Sequence, residues 1–471
     1  IILLTLLANT AVVIPICDAF TFRHNNQYQY SPSINNNGKL FQPADFPTIF
    51  KATISNEDDN TGIAKTVTTT YETTLVANRG TQQSSKRSRL RNIFRKNGEA
   101  QNVQKLHRFT YDYDEMIIGN NTPNNSDTTT AIMLIHPIGV GIGKWYYDRL
   151  LHSLQDKYGD IGHRLVFLSP DLLGSATASG PTDENGESIP KFPLLNVTDW
   201  TEQVTQLMSE YETKSEEEGH LISNWSIVAN GGCSPIALQV AASSSSTSSS
   251  SLLHDKKFSF KAAVTNVILS SPPRLPFFLE RTSDPIKVQK SFRTLSGISG
   301  KLFWWYSLRK NGKFIQTFSE KNLVGDAANL GEEWTPNCLK AARLHDGRSR
   351  YSTFAFLAGT LQDGCAESLN KLKKGSGCTG VVIDFIRGGD KRRNRARSWF
   401  WTRKKTKADG DVGEGKDSAV DDGDAPVEET IQQYVCENGN RGKELFVGGR
   451  ISLAWEDSGG YAKSVMELLC E

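Results

Sequence analysis

The sequence is short of cysteine and of excess charge, and each shortage excludes a class of function. Its 471 residues carry a formal net charge of +2, so no overall basic balance points to nucleic acid. The seven cysteines are scattered without a C-x-x-C pair, which predicts neither a zinc site nor a disulfide framework. We therefore expect no metal, no cofactor and no nucleic-acid partner, and a reduced compartment is the simpler expectation.

The first residues are apolar and are followed by a long polar stretch. Residues 1–16 have about the length of a signal-peptide core, which is too short for a comfortable membrane span. The stretch that begins at Phe20 is rich in Asn, Ser and Thr and later in Lys and Arg, and it resembles the bipartite presequence of algae with secondary plastids. We predict a signal-like segment at 1–20, a transit-peptide-like or disordered leader at 21–107 and a plastid destination. A secreted or endomembrane protein is the alternative.

Three stretches of the sequence have the form of a buried strand, a sharp turn and a helix. The strands are apolar runs of a length typical of fully buried strands, at 130–135, 164–169 and 225–228. The turns that follow them are His-Pro-Ile-Gly-Val-Gly at 136–141, Pro-Asp-Leu-Leu-Gly at 170–174 and Ala-Asn-Gly-Gly-Cys at 229–233. This order predicts a largely parallel sheet with helices on its faces.

Taken together, these units resemble the core of the α/β hydrolases. The turn at 229–233 is similar to the nucleophile elbow, in which G-x-S-x-G lifts a serine above the sheet. The resemblance covers roughly residues 108–471 and implies the α/β-hydrolase fold, with a mostly parallel central sheet, flanking helices and a helical cap after the sixth strand. We expect the core at 108–271 and 373–471, disordered insertions at 243–258 and 402–430, and the cap at 272–372.

Two members of the catalytic triad are missing from the positions that the resemblance implies. Gly231 stands at the serine position, and Arg450 stands at the histidine position after the last strand. The eight histidines lie at 24, 107, 136, 152, 163, 220, 254 and 345, so none follows that strand. Asp390 fits the acid and is interpreted as a relic of the triad, or as a partner of the arginines that follow it. Neither glycine nor arginine can act as the nucleophile or the general base.

Other residues near the elbow could still support chemistry. Cys233 lies at a helix N-terminus, where a thiolate would be stabilised, although a small buried residue that packs the helix on the sheet is the alternative. His136 either anchors its loop or approaches a ligand. Because Pro137 has no NH, Ile138 or Gly139 would contact an oxyanion together with Gly232.

Aromatic residues are frequent in the cap and in one basic segment. In the cap they predict a small apolar ligand such as an acyl, terpenoid or pigment-like molecule, or they simply hold the cap to the body. The segment 391–407 could contact an anionic membrane surface, or it packs on the body with solvated arginines. The residues that would make this contact are Arg392, Arg393, Trp399 and Trp401.

Two functions follow from these observations. In the first, the protein is a catalytically inactive member of the family that binds a small apolar ligand or a protein partner. In the second, it is an active ester or acyl hydrolase, or a lyase-type enzyme, that uses a non-standard nucleophile or the oxyanion pocket.

Overall fold

The chain divides into two compact units, residues 1–62 and 63–471, and a computed structural model describes residues of the second. The described residues are 64–75, 105–119, 129–183, 185–189, 192–244, 260–273, 278–279, 284–305, 312–362, 365–373, 381–389, 431–437 and 442–470. Several predicted features lie outside them. These are the signal-like segment, most of the insertion at 243–258, the whole insertion at 402–430, Asp390, Arg392, Arg393, Trp399 and Trp401.

An eight-stranded sheet lies at the centre of the described structure, with the strand order β1-β2-β4-β3-β5-β6-β7-β8. β2 pairs antiparallel with β1 and β4, and all the other neighbours are parallel. The strands are β1 Lys65–Leu75, β2 Lys105–Ile118, β3 Thr129–Ile135, β4 Leu165–Pro170, β5 Ile222–Asn230, β6 Ala263–Ser270, β7 Val382–Gly388 and β8 Glu444–Val447. The predicted fold class, a mostly parallel sheet flanked by helices, is confirmed.

Strand β1 corrects the predicted leader at 21–107, because residues 65–75 belong to the sheet. The threonines that suggested a transit peptide are instead β-branched residues of an edge strand. Thr66 and Thr68 stand opposite Asp114 and Asp112 in the register, and each hydroxyl donates a 2.7 Å hydrogen bond to the carboxylate of its partner. Tyr71 is buried and anchors the strand from its other side. The core therefore begins well before residue 108.

The helices lie between and after these strands. They are α1 Asp148–Tyr158, α2 Val197–Glu217, α3 Ser234–Ser244, α4 Pro285–Ser296, α5 Ile298–Phe303, α6 Gly312–Asn322, α7 Trp334–Gly347, α8 Arg350–Ala358, α9 Ala366–Leu372, α10 Ile431–Glu437, α11 Leu453–Glu456 and α12 Ser458–Leu469. Within α7 the backbone leaves the helical region at Leu344, His345 and Asp346. Helices α4–α9 follow β6 and precede β7, where the cap was predicted. None of the helices that the structure describes is long and apolar enough to cross a membrane.

The helices after β6 rest on the loops that follow β3 and β4. The Thr353 hydroxyl of α8 donates to the Gly139 carbonyl oxygen in the loop after β3 at 3.0 Å. The Ser175 hydroxyl in the loop after β4 donates to the Ser352 hydroxyl of α8 at 3.2 Å. His345 Nε2 lies 3.0 Å from the Thr177 carbonyl oxygen. Parallel strands carry their ligand-facing loops at this edge of the sheet, so the cap covers the edge where a site is expected.

Three tryptophans join the cap to the body at a second point. Trp145, Trp334 and Trp455 meet edge to face, with all three ring centroids 5.2 Å apart. Trp334 comes from α7 of the cap, and the other two come from the body. The Arg149 guanidinium lies 4.1 Å above the Trp455 ring and also pairs with the Glu333 carboxylate. Such contacts contribute beyond the apolar area that they bury.

Candidate functional site at the turn after strand β5

The turn after β5 places Gly231 in a conformation that few side chains adopt. β5 ends at Asn230, the short 3-10 turn Gly231–Cys233 follows, and α3 begins at Ser234. Gly231 has a φ of +56°, and a Cβ built on it would meet no heavy atom within 4 Å. Glycine holds this left-handed backbone without strain, and among residues with a Cβ mainly asparagine and aspartate tolerate it. The apex of the turn therefore faces open space at the position where a hydrolase carries its serine.

The next residue, Gly232, borders this space on the side of the cap. A Cβ at Gly232 would lie 3.5 Å from Phe356 Cε2 and 3.9 Å from Leu361 Cδ1, both ordinary contacts. Phe356 is 39% exposed, and Leu361 is buried. The cap therefore supplies apolar walls next to the turn.

His136 begins the loop after β3 and is fully buried. Its Nε2 accepts a hydrogen bond from the Leu172 NH at 3.1 Å, so the ring proton is on Nδ1, which donates to the Pro137 carbonyl oxygen at 3.0 Å. Burial lowers the pKa of His136 to about 4. The neutral ring thus ties its own loop to the turn after β4, and both of its nitrogens are occupied.

Cys233 is also fully buried, at the end of the 3-10 turn. Its Sγ lies 3.3 Å from the His136 carbonyl oxygen, which accepts from the thiol. Burial raises the pKa of the Cys233 thiol to about 12, although a backbone hydrogen bond from Ile138 acts in the opposite direction. At neutral pH the group is a protonated thiol without solvent access, and it packs the elbow against the loop after β3.

The loop after β3 is fixed by close backbone contacts. Gly141 has a φ of +66°, and a Cβ there would lie 2.0 Å from the Cys338 carbonyl oxygen of α7. Ile138 is buried, and the Gly139 carbonyl oxygen accepts the hydrogen bond from Thr353. The two residues predicted to contact an oxyanion therefore lie in a loop that α7 and α8 hold against the sheet.

Arg450 follows β8 and binds the cap. Its NH donates to Glu456 Oε1 at 2.8 Å, and its Nη1 donates to the Lys321 carbonyl oxygen of α6 at 2.6 Å. The next two residues, Ile451 and Ser452, both donate their backbone NH to the Leu323 carbonyl oxygen. The position that the resemblance assigns to a catalytic histidine therefore holds a side chain that joins body and cap.

Asn230 is a site residue that the sequence did not reveal. It is buried at the end of β5, and its Nδ2 donates to the Tyr146 hydroxyl at 3.0 Å and to the Ile451 carbonyl oxygen at 3.3 Å. These bonds bring the loop after β8 beside the elbow. The sequence signal for this residue is a polar side chain at the end of an apolar strand. It does not reveal the hydrogen-bond partners of Asn230, which lie 84 and 221 residues away in the sequence.

Asp171, in the Pro-Asp-Leu-Leu-Gly turn after β4, is a second residue whose role the sequence did not predict. Its buried carboxylate accepts hydrogen bonds from the Lys144 NH at 2.7 Å, the Thr177 NH at 3.1 Å and the Thr177 hydroxyl at 2.5 Å. Burial nevertheless raises the pKa of Asp171 to about 6. The carboxylate fixes the turn after β4 to the beginning of the helix that follows the loop after β3.

No protein-family model matches the chain, and no curated protein matches its sequence. Three solved structures illustrate its structural likenesses. The peroxisomal alpha-beta-hydrolase Lpx1 from Saccharomyces cerevisiae is 10% identical, with 87% of this chain and 89% of that chain covered and a TM-score of 0.46. A probable hydrolytic enzyme from Pseudomonas aeruginosa PAO1 is 11% identical, with coverages of 76% and 90% and a TM-score of 0.43. The enol-lactonase from Burkholderia xenovorans LB400 is 11% identical, with coverages of 77% and 97% and a TM-score of 0.39.

The fold assignment rests on the strand order of this chain. Their order places the antiparallel strand β2 beside β4, the parallel strands β3 and β5 at the centre, and a sharp strand-to-helix turn directly after β5. Helices follow β6 at the position of a cap. With this strand order and this elbow, the chain has the α/β-hydrolase fold.

Proposed function

We propose that this α/β-hydrolase-fold protein binds a small, largely apolar ligand above Gly231 and has no serine–histidine chemistry there. The open space at the apex of the elbow carries the proposal, because it is the place where the nucleophile and the reacting carbonyl meet in a hydrolase. Among the residues that the structure describes, none has a heavy atom within 4 Å of a Cβ built on Gly231.

Among the described residues, the groups named above near the elbow supply no substitute for the missing chemistry. A nucleophile needs a base within hydrogen-bonding reach. The Cys233 thiol is buried and protonated, and both ring nitrogens of His136 are engaged within the protein. The guanidinium of Arg450 has N–H donors and no acceptor atom, so it cannot serve as the base. Binding is therefore the function that this geometry supports best.

The surroundings of the elbow favour an apolar ligand with a carbonyl or carboxylate end. Phe356 and Leu361 lie beside Gly232, and Phe354 of the same helix as Phe356 packs edge to face on Trp304, with the ring centroids 5.9 Å apart. Backbone NH groups at a turn that opens a helix attract a partly negative oxygen. An acyl compound has both features, and terpenoid or pigment-like acids share them.

The binding proposal is tested with a fluorescent fatty acid, 11-dansylaminoundecanoic acid. Gly231→Asn fills the open space with a residue that tolerates a left-handed backbone, so we expect binding to weaken by at least about tenfold, which corresponds to roughly 1.4 kcal/mol. Gly219→Asn is the matched control, because Gly219 has a φ of +83° and also has no atom within 4 Å of a Cβ. Equal binding by both variants and the parent protein would place the ligand elsewhere and end the proposal.

Catalysis is tested separately with short and medium-chain p-nitrophenyl esters and a fluorophosphonate probe. We expect no turnover and no labelling by the parent protein or by Cys233→Ala. Turnover that disappears in Cys233→Ala would establish the alternative, an active hydrolase with a cysteine nucleophile. The double variant Gly231→Ser with Arg450→His restores the two replaced triad positions. Ester hydrolysis by this variant would show that these two replacements alone account for the inactivity of the parent.

We further propose a plastid destination, on the apolar core at 1–16 and the Asn-, Ser- and Thr-rich stretch that follows it. Since residues 65–75 form strand β1, a targeting signal would lie in residues 1–62. A fluorescent protein fused behind these residues, with an added initiator methionine, should accumulate in plastids of an alga with secondary plastids. Fluorescence in the medium would show secretion instead.

A further inference from the structure

Helix α4 carries an outward face that combines an exposed isoleucine with basic side chains. The helix buries Val288, Phe292 and Leu295 on its inner side. On the other side Ile286 is 62% exposed and borders a shallow depression that Lys290 and Arg293 also line. Because positions 286, 290 and 293 follow the i, i+4, i+7 spacing, these three side chains share one face of the helix.

Helix α5 and the two residues after it carry three more exposed apolar residues of the cap. Its inner side is fixed by Gly300, where a Cβ would lie 1.7 Å from the Leu295 carbonyl oxygen, and by the buried Trp304. Ile298 is 80% exposed, and Leu302 and Trp305 are each 36% exposed. These three again follow the i, i+4, i+7 spacing. Since α5 begins two residues after α4 and packs directly on its end, both outward faces belong to the cap.

The charged side chains on this part of the cap are mostly basic. Between residues 284 and 305 the basic side chains are Lys287, Lys290, Arg293 and Lys301, and all are exposed. The acidic residue in the same range is Asp284, whose carboxylate caps α4 by accepting from the Ile286 NH. A chain with a net charge of only +2 thus concentrates cations beside its exposed isoleucines and tryptophan.

We propose that this surface, formed by Ile286, Lys290, Arg293, Ile298, Leu302 and Trp305, binds the anionic headgroup region of a lipid bilayer from outside. Helices that lie in a membrane interface combine Lys and Arg with Leu, Ile and Trp in this way. The cations match lipid phosphates, and the apolar side chains enter the acyl boundary beside them. The proposal does not depend on the ligand above Gly231, because none of these six residues borders the elbow.

Vesicle sedimentation tests the proposal with the full chain. We expect binding to vesicles of phosphatidylcholine with added phosphatidylglycerol, little binding to phosphatidylcholine alone, and weaker binding as the salt concentration rises. The double variant Lys290→Glu with Arg293→Glu should lower the affinity by at least roughly 25-fold, since each basic residue near such a surface contributes about fivefold. Ile298→Asp should also lower it, because an inserted apolar side chain is lost.

Matched controls come from elsewhere on the surface. Leu221→Asp changes a residue that is 62% exposed, and Lys157→Glu with Lys463→Glu reverses two exposed charges on α1 and α12. Both controls should bind as the parent does, and the thermal midpoints of all variants should match within a few degrees. The proposal is overturned if the parent does not bind anionic vesicles, or if the controls lose as much affinity as the test variants.

A separate comparison distinguishes this surface from the basic segment predicted at 391–407. A variant that reverses Arg392 and Arg393 and replaces Trp399 and Trp401 by alanine leaves the α4–α5 surface intact. We expect this variant to retain vesicle binding. Loss of binding in this variant, with normal binding by Ile298→Asp, would assign the membrane contact to the segment and refute our proposal. If Ile298→Asp binds as the parent does while the charge-reversed variant loses binding, the attachment is purely electrostatic, and this result also contradicts the proposal.

Discussion

Replacement of Gly231 by alanine tests the geometry of the elbow directly. A left-handed backbone costs a residue with a Cβ roughly 1–2 kcal/mol, and a gain of about 0.4–1 kcal/mol from the less flexible unfolded chain offsets part of it. No steric cost is added, because a Cβ at this position meets no atom within 4 Å. We therefore expect Gly231→Ala to lower the free energy of unfolding by about 1 kcal/mol.

Three other glycines calibrate this value. Gly219, with a φ of +83° and open space, should show the same loss when replaced by alanine. Gly232 lacks a positive φ and would make only ordinary contacts, so its replacement should change stability by less than about 0.5 kcal/mol. Gly141→Ala should cost more than about 3 kcal/mol, since strain adds to a backbone clash at 2.0 Å.

Urea denaturation of the four variants gives the comparison. The denaturation midpoint should shift while the slope with urea stays constant, because the change concerns the folded turn and not the surface exposed on unfolding. If Gly231→Ala lost as much stability as Gly141→Ala, the space above the elbow would be filled. If Gly231→Ala lost nothing while Gly219→Ala lost the expected amount, the turn after β5 would not be left-handed. Either result would refute the reasoning behind the candidate site.

Three further predictions concern buried and clustered groups. The pKa of the buried His136 ring is lowered to about 4. The stability that this neutral ring contributes is therefore complete above the unfolded pKa near 6.5, and it falls by on the order of 3 kcal/mol as the pH drops to 4. Urea titrations between pH 7 and pH 4 should show a smaller fall in His136→Gln than in the parent, and an identical fall would contradict the assignment. Iodoacetamide followed by peptide mass mapping should modify the exposed Cys470 in the native protein but not Cys233, whose thiol is buried with a raised pKa; rapid labelling of Cys233 would refute its burial. Arg149→Lys should lower the free energy of unfolding by about 1–2 kcal/mol, because lysine cannot pair with the Glu333 carboxylate through two donors while stacking on Trp455. An unchanged urea midpoint would show that these contacts of Arg149 do not contribute to stability.

The parts of the fold that the sequence predicted are those with a strong local pattern. The strands at 130–135, 164–169 and 225–228 are buried on both faces of the sheet, so they appear as continuous apolar runs. Their turns contain Gly and Pro at positions that the backbone requires. This is why the order of β3, β4 and β5, and the location of the elbow, could be predicted without coordinates.

Strand β1 could not be predicted in the same way. It lies at the edge of the sheet, and its threonines face solvent and the carboxylates of β2. Such a strand has the same composition as an unstructured polar leader. The contacts that place it in the sheet come from residues about 40 positions later in the chain, and a local pattern carries no information about them.

The candidate site was predictable in its positions but not in its contacts. Gly231 and Arg450 were recognised because they replace residues that the resemblance implies at those points. Asn230 joins the elbow to the Ile451 carbonyl oxygen, and Arg450 binds the Lys321 carbonyl oxygen. Each bond connects a side chain to a backbone group more than 100 residues away in the sequence. The burial that keeps Cys233 protonated is likewise a property of the assembled loops.

The cluster of Trp145, Trp334 and Trp455 gives the protein an intrinsic optical signal for one specific event. Three indole rings with centroids 5.2 Å apart in a chiral arrangement couple electronically, so they should produce a strong near-ultraviolet circular dichroism band. Because Trp334 comes from the cap and the other two rings from the body, separation of the cap would remove the two couplings that involve Trp334 and leave the coupling between Trp145 and Trp455. A partial fall of this band before loss of far-ultraviolet ellipticity would therefore record detachment of the cap in an unlabelled sample.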